Sequence, residues 1–371
     1  MKICVFGENG SYHTETIVDL FKKDHIVTWF VSDIVTSREI ESKNLNIKVS
    51  FNPYDLENQN VFIICNETTF NPMSEKIDIT NIVNSVELIK RYAQKESTVV
   101  LESTVGVGTT RKLFSDTDMK VAYSPSRFDS NTVGITPSDF PKLIGGIDEK
   151  SESIVNKLYM SVFNVIIRTG SSEVAEGASL LERANKIVQK AFLNEFADFC
   201  ERIKLDVHHV IDAAGTWTCN NKLITSPWIG NGTNDMSARH LIYHEADWPV
   251  LYSSIQQLER RPKKIYEKIV ERYCGKKNYD ELHKKCFLMV GIGEQIGVTS
   301  TKNSPVLEII RDLELEGAVV VKYDMYIDEY STLPHMEHNS GLPRFDGIIV
   351  FHPYFISKWE QFSYTSFYCR H

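Results

Sequence analysis

Residues 98–111 read Thr-Val-Val-Leu-Glu-Ser-Thr-Val-Gly-Val-Gly-Thr-Thr-Arg. Four apolar or β-branched residues, then an acid, then a glycine turn into Thr-Thr-Arg: the pattern is a buried strand that ends abruptly and turns. Working outward, the same alternation recurs on both sides. Residues 2–6, 26–31, 60–65 and 120–123 are further short apolar runs, and 143–146 and 165–168 read as later strands of the same sheet. Between them lie amphipathic helical patterns at 11–22 and 81–94, the second with Ile82, Val83, Val86, Ile89 and Ala93 at helical spacing and Thr80 as the candidate cap. Strands alternating with helices predict a parallel sheet with right-handed crossovers.

From 172 to 204 the periodicity is helical throughout, with Ser171 or Ser172 placed to cap and Glu173 and Glu176 in the first turn. About thirty residues make a helix of roughly 45 Å, suited to a spine or a dimer seam. After residue 280 the alternation returns: strands at 285–291, 318–323 and 346–351 and a helix at 304–316, with 327–345 as loop. The expected fold is α/β in three parts: an N-terminal Rossmann-like domain (1–171), a central long-helix domain (172–280) and a C-terminal Rossmann-like domain (281–371).

Bulk properties narrow the function. The chain has 371 residues, 42% hydrophobic and 24% charged, with a net charge of −8. No basic face argues for nucleic acid. No apolar run approaches the roughly 18 residues of a membrane span, and the first residues lack a signal-peptide pattern, so a cytoplasmic protein is expected. The seven cysteines, Cys4, Cys65, Cys200, Cys219, Cys274, Cys286 and Cys369, form no CxxC pair and read as reduced thiols.

Several motifs together give a family resemblance. Glu102–Arg111 resembles, almost letter for letter, the EST-V-x-x-G-T-T-R strand and turn of the UDP-glucose/GDP-mannose dehydrogenases. Tyr123-Ser-Pro-Ser-Arg127 is similar to the family's Y-S-P-E-R, and Pro141-Lys-Leu-Ile-Gly-Gly146 to its P-x-x-x-G-G. Ala175-Glu176 and Asn194-Glu195 fall where the family's central helix has A-E and N-E. Leu205-Asp206 with Val210–Ala214 resembles the stretch after it, and Ser304-Pro305, Gly317-Ala-Val and Tyr323-Asp324 the last domain. The resemblance implies a cofactor-binding domain, a dimer-forming helical part and a domain that holds a nucleotide sugar. It implies NAD or NADP as cofactor, no metal, and a homodimer.

The same resemblance shows what is missing. The family oxidises a primary alcohol to a carboxylate in two hydride transfers, holding the intermediate on a cysteine thiolate. Thr233 stands at the cysteine position and Ser237 at the aspartate after it. Ser179 and Arg183 stand where A-E-x-x-K-x-x-x-N places a lysine and an asparagine, and Ser126 replaces the glutamate of Y-S-P-E-R. Of that set only Thr104 is kept. In the cofactor loop, Gly7-Glu-Asn-Gly-Ser-Tyr12, the first glycine survives, Asn9 and Tyr12 take the other two positions, and Gly10 offers some relief. Glu8 brings negative charge to the pyrophosphate position, and Tyr12 is expected to crowd the helix against the sheet. Asp33 could reach a ribose or be a surface aspartate. Thr68 and Thr104 are further cofactor candidates by resemblance. Gln295 and Lys302 replace the lysine and arginine that meet the sugar nucleotide's phosphates, leaving a weakened anion site or a plain loop.

Other candidates have blander alternatives. Cys219 could be a relocated nucleophile or an idle thiol. His240 and His244 with Glu245 could bind a metal, though a helical face is the better fit. His335 and His338 read as solvated. Arg260–Lys264 could meet phosphate or an acidic partner, or be a solvated helix turn. Tyr326, Tyr330, Phe355, Trp359 and Phe362 could form a partner surface or cover the last sheet. Two functions follow. One is a homologue inactive in four-electron oxidation, kept for binding, regulation or assembly. The other is an NAD(P)-dependent oxidoreductase with two-electron chemistry, its acid–base drawn from His240, Lys186 or Cys219.

Overall fold

The computed structural model describes residues 1–43, 47–71, 76–127, 136–216, 238–242, 247–275, 279–293, 301, 304–331 and 345–351. Two compact units divide it, residues 1–183 with 236–247, and 184–235 with 248–371.

The first unit holds an eight-stranded sheet. Its strands are β1 (Lys2–Phe6), β2 (Ile26–Phe30), β3 (Lys48–Ser50), β4 (Val61–Ile64), β7 (Thr98–Leu101), β8 (Lys120–Tyr123), β9 (Lys142–Gly146) and β10 (Ile166–Arg168), while β5 (Thr69–Asn71) and β6 (Lys76–Asp78) form a separate antiparallel pair. The order β10-β9-β8-β7-β4-β1-β2-β3 contains the six-strand Rossmann arrangement, reversing direction between β1 and β4. Strand residues alternate between two cores: Val61, Ile63 and Cys65 face one, Phe62 and Ile64 the other. Helices α1 (Tyr12–Phe21), α2 (Ile34–Lys43), α3 (Thr80–Tyr92), α4 (Thr109–Leu113) and α5 (Glu149–Tyr159) connect or flank the strands.

Two local expectations change. The sheet is parallel except that β8 and β9 pair antiparallel; no α-helix lies between them among the described residues, so no crossover carries the chain back. Helix α3 starts at Thr80 itself, capped by the Asp78 carboxylate, whose Oδ1 accepts from the Thr80 amide at 2.8 Å. At the long helix that starts at Ser172, it is Ser171 of the two candidate serines that caps, accepting from the Val174 amide at 3.3 Å.

That helix, α6 (Ser172–Arg202), has 31 residues and runs from the first unit into the second. It ends in a Schellman turn: Leu205 N–H donates to Cys200 O at 2.9 Å and Lys204 N–H to Glu201 O at 3.1 Å. Lys204 therefore sits at φ 58°, the one non-glycine residue with positive φ among the described residues. Glycine meets no Cβ penalty there, so Lys204→Gly is expected to stabilise the chain by about 0.5–1 kcal/mol, read by denaturant titration; a loss of stability would contradict it. Asp206 then caps α7 (Val207–Gly215), accepting from His208 N–H at 2.9 Å.

Helix α8 (Arg239–Ile242) belongs to the first unit. The second continues with α9 (Pro249–Cys274) and a three-stranded parallel sheet, β12-β11-β13, made of β11 (Cys286–Val290), β12 (Val319–Tyr323) and β13 (Gly347–Val350). Helices α9 and α10 (Val306–Leu315) bury Ile265, Ile269, Ile309 and Leu313 with Phe287 and Met289 of β11. No helix among the described residues is long and apolar enough to cross a membrane.

Candidate functional site

The resembling motifs come together around the ends of β7, β8 and β9. Glu176, fully buried in the first turns of α6, accepts from Gly108 N–H at 2.6 Å, Thr110 N–H at 2.8 Å and Thr110 Oγ1 at 2.6 Å. It thus caps the start of α4, where amides point outward and welcome a negative charge. Arg111 pairs with Glu173 at 2.6 Å and donates to Ile147 O at 2.9 Å. Arg127 pairs with Glu182 and donates to Pro141 O at 2.9 Å. Gly145 has a packing role: a Cβ there would lie 2.1 Å from Ser171 O. Much of the family-like signature is therefore a set of bonds that seat α6 on the sheet.

Glu102, the residue just after β7, has a second role. Its Oε2 accepts from Lys142 Nζ at 2.6 Å and meets His13 Nε2 at 2.8 Å, while the Tyr159 hydroxyl donates to Oε1. Lys142 also donates to Pro125 O at 3.0 Å, and its ammonium lies 5.4 Å from the Phe163 ring centroid. Both Glu102 and Lys142 are almost wholly buried. Burial alone would raise the Glu102 carboxyl; the Lys142 charge and the His13 contact overcome this and hold it down to about 2. Burial also lowers His13, against the pull of Glu102, and raises Tyr159. Cys65 lies close, with its sulfur, a His13 ring nitrogen and a Glu102 oxygen all within 4.8 Å of one another. The positive charge at that place is supplied by Lys142, and burial pushes the Cys65 thiol well up.

Sequence reasoning quoted Glu102 and Lys142 inside motifs and assigned neither to the site; it passed over His13 and Tyr159. A signal was present: a glutamate and a lysine each embedded in an apolar strand run must find partners.

Ser179 is buried on α6 and Arg183 partly so. Burial pushes the Tyr123 phenol up; the Ser179 hydroxyl and the Arg183 charge pull it down. Arg183 also acts on His13 through its charge. Thr104 and Ser126 are partly buried after β7 and β8. Thr233 and Ser237 lie outside the described residues, as do Cys219, His244, Glu245, Gln295, Lys302, His335, His338, Phe355, Trp359 and Phe362.

A cavity of about 460 Å³ opens at the C-terminal ends of β1, β2 and β4, where the sheet order reverses. Phe6, Phe30, Val31 and Leu88 give it apolar walls; Ser32, Asn66, Asn81, Asn84 and Ser85 give it hydrogen-bonding groups. Gly7 and Asn9 line it, as expected; Gly10, Asp33, Thr68 and Thr104 are not among its lining residues. Asp33 instead caps α2, accepting from Val35 N–H and Thr36 N–H, each at 2.9 Å. Tyr12 does not crowd the helix against the sheet. It is 38% exposed, and Ser11 and Thr14 point inward in its place. Gly7 is required for close approach, since a Cβ there would lie 2.2 Å from Thr14 Oγ1.

These residues fit a dinucleotide: an apolar slot for a base, amides and hydroxyls for a ribose, and an α1 N-terminus with no side-chain cap for phosphate. One feature opposes it. The Glu8 carboxylate lines the cavity, accepting from Glu67 N–H at 3.0 Å. Among the described residues no lysine or arginine lines the cavity to offset it, and Glu39 adds a second carboxylate. Glu8→Gln is therefore expected to tighten NAD binding about tenfold at low salt, by calorimetry. Unchanged affinity would mean Glu8 faces no phosphate.

The sheet order, the glycine-first loop and this crevice are those of a Rossmann-class fold. Residues 14–163 match the family model described as "UDP-glucose/GDP-mannose dehydrogenase family, NAD binding domain". It is 27% identical over 297 residues to the UDP-N-acetyl-D-mannosamine dehydrogenase of Methanocaldococcus jannaschii, covering 77% of this chain and 66% of that protein. The chain thus spans just under two thirds of that relative. It is 24% identical over 328 residues to the UDP-N-acetyl-D-glucosamine 6-dehydrogenase of Pseudomonas aeruginosa, covering 82% and 76%. Among solved structures, a UDP-glucose dehydrogenase from Pyrobaculum islandicum shares the fold with TM-score 0.81 at 16% identity, covering 100% and 94% of the two chains. The UDP-D-ManNAc dehydrogenase of Pyrococcus horikoshii gives 0.78 at 22% identity, covering 97% and 92%.

Proposed function

We propose that this chain binds NAD and a UDP-linked sugar of the N-acetylamino class but does not carry out the four-electron oxidation, and that it serves binding, regulation or assembly. The observation that carries the reading is the replacement of the thiol and its helpers together: Thr233, Ser237, Ser179, Arg183 and Ser126 stand where cysteine, aspartate, lysine, asparagine and glutamate are expected. Buried thiols offer no substitute. Cys4 and Cys65 are fully enclosed, and burial raises both far from thiolate. Lys142 is spoken for by Glu102 and has no solvent path.

When bound, NAD supplies a hydride acceptor. The chain's own residues hold its base between Phe30, Val31 and Leu88, and favour it over NADP because the Glu39 carboxylate on the cavity wall opposes a further phosphate. A homodimer through α6 is part of the same reading, supported by Leu181, Phe192 and Phe199 on its surface and Ile203 just after its end, between 44% and 68% exposed.

One observation favours a second reading. His13 is 18% exposed at its side chain and backed by the anchored Glu102 carboxylate, the arrangement of an oriented acid–base. Two-electron oxidation needs no thiol. The test is nicotinamide absorbance on mixing the chain with NAD and UDP-N-acetylmannosamine or other UDP-sugars. Saturable NAD binding with no reduced nicotinamide supports the first reading. Reduced nicotinamide with an aldehyde or ketone product would favour the second, and with a uronate product would overturn both.

A further inference from the structure

The second unit contains a charge cluster that neither the resemblance nor the proposed chemistry uses. Asp198 of α6 is met by three cations of α9: Arg261 Nη1 at 2.7 Å, Lys264 Nζ at 2.6 Å and Lys268 Nζ at 2.7 Å. Lys268 also contacts Glu201 at 2.5 Å. Three positive groups face two carboxylates, so the cluster carries one excess positive charge. These pairs hold Asp198 well below the usual carboxylate range against its burial.

The excess has a specific location. Arg261 is 4% exposed, and beyond its bond to Asp198 its Nε and Nη2 have no hydrogen-bond partner. These two N–H groups form the side-on fork of a guanidinium, which matches two oxygens of a carboxylate or phosphate. Asn194 is also 4% exposed, with neither amide atom paired. It precedes Asp198 by one helical turn, on the same face of α6. The pairings advance along both helices together, from Asp198 with Arg261 to Glu201 with Lys268, which puts Asn194 at the Arg261 end. Next in sequence is Pro262, inside α9, which has no N–H for the helix ladder. Buried donors left open are rare, and a buried arginine with an open fork costs stability unless something meets it.

We propose that Arg261 and Asn194 form a site for a small oxyanion, of the inorganic phosphate, sulfate or bicarbonate class. Two oxygens of the anion take the Arg261 fork, and the Asn194 amide takes a third. Enclosure between two helices restricts the site to small ions, and the half-exposed Lys264 marks its route to solvent. Bound anion cross-links α6 to α9 and makes the stability of this unit respond to anion concentration.

The test is thermal melting of the full chain at constant ionic strength in chloride, with inorganic phosphate, sulfate or bicarbonate as titrants and uridine monophosphate as the bulky control. The expected result is a saturable rise of a few degrees with the small oxyanions and none specific to the nucleotide. Arg261→Lys keeps the charge against Asp198 but removes the fork, and is expected to abolish saturation. Asn194→Asp places a carboxylate beside the fork. It is expected to melt higher than the parent without added anion and to ignore phosphate, a result that misfolding does not mimic. A response that is unsaturable, or equal in parent and Arg261→Lys, would make the effect a general salt effect and overturn the site. So would no response in the parent, which leaves the fork to water, or an Asn194→Asp protein that still responds.

Discussion

Lys142→Met is expected to destabilise the chain by about 3–5 kcal/mol, the largest stability effect of any single substitution considered. The cause is the charge left behind. Glu102 is fully buried, and its carboxylate tolerates that only because Lys142 lies 2.6 Å away. Methionine fills similar space and supplies no cation. The pH dependence identifies the mechanism. In the parent, Glu102 titrates near about 2, below its unfolded value, so its contribution is complete above the ordinary carboxyl range and is lost as pH falls from there toward about 2. In Lys142→Met the buried carboxyl rises instead. Lowering the pH then neutralises it, so the gap between variant and parent shrinks toward acid. Denaturant titrations at neutral and mildly acidic pH measure this; a gap constant with pH would show that lost packing, not charge, is responsible.

Thr233→Cys is expected to leave oxidation of UDP-sugars undetectable, at under about 10⁻⁴ of the rate of a complete enzyme. By the family resemblance, a thiol at 233 supplies one group of a set that acts together. The same resemblance sets Ser179 and Arg183 at the polarising positions and Ser126 and Ser237 at the acidic ones. Groups that work as a unit do not contribute additively, so one repaired member gains little. Product analysis by mass spectrometry is the readout. A Thr233→Cys protein that forms uronate at appreciable rate would mean the remaining replacements are functional equivalents, with Arg183 the first to consider.

The outline of the fold was legible because its signals are local. The apolar run Val61–Ile64 and the helical spacing in α3 each depend on a few adjacent residues. The reversal of β9 was not, because it depends on whether a helix intervenes in the β8–β9 connection. Helix α6 was placed within two residues of its observed end, while the left-handed Lys204 that stops it was hidden, since lysine is a poor marker for a position that favours glycine.

The site was legible only where a resemblance supplied a template. That template named Gly7 and Asn9, which line the crevice, and Ser179 and Arg183, which act on the Tyr123 phenol. It gave no hint that His13, Glu102, Lys142 and Tyr159, spread over 147 residues of sequence, meet at one carboxylate. Tertiary pairing of buried charges is invisible to periodicity, although each charge in an apolar strand announces that a partner must exist. Asp33 is ambiguous from sequence alone: an acid after the second strand reads as a ribose ligand or as a surface aspartate, and here its oxygens cap the helix it precedes.

The central claim is that the NAD-binding fold persists in a chain whose sugar-oxidising groups have been replaced. The most direct measurement is an end-point incubation of the purified chain with NAD and UDP-N-acetylmannosamine, with mass spectrometry of the sugar nucleotide and calorimetry of NAD in the same preparation. A saturable NAD heat with the sugar recovered unchanged is the predicted outcome. Conversion of the sugar to its uronate would contradict it.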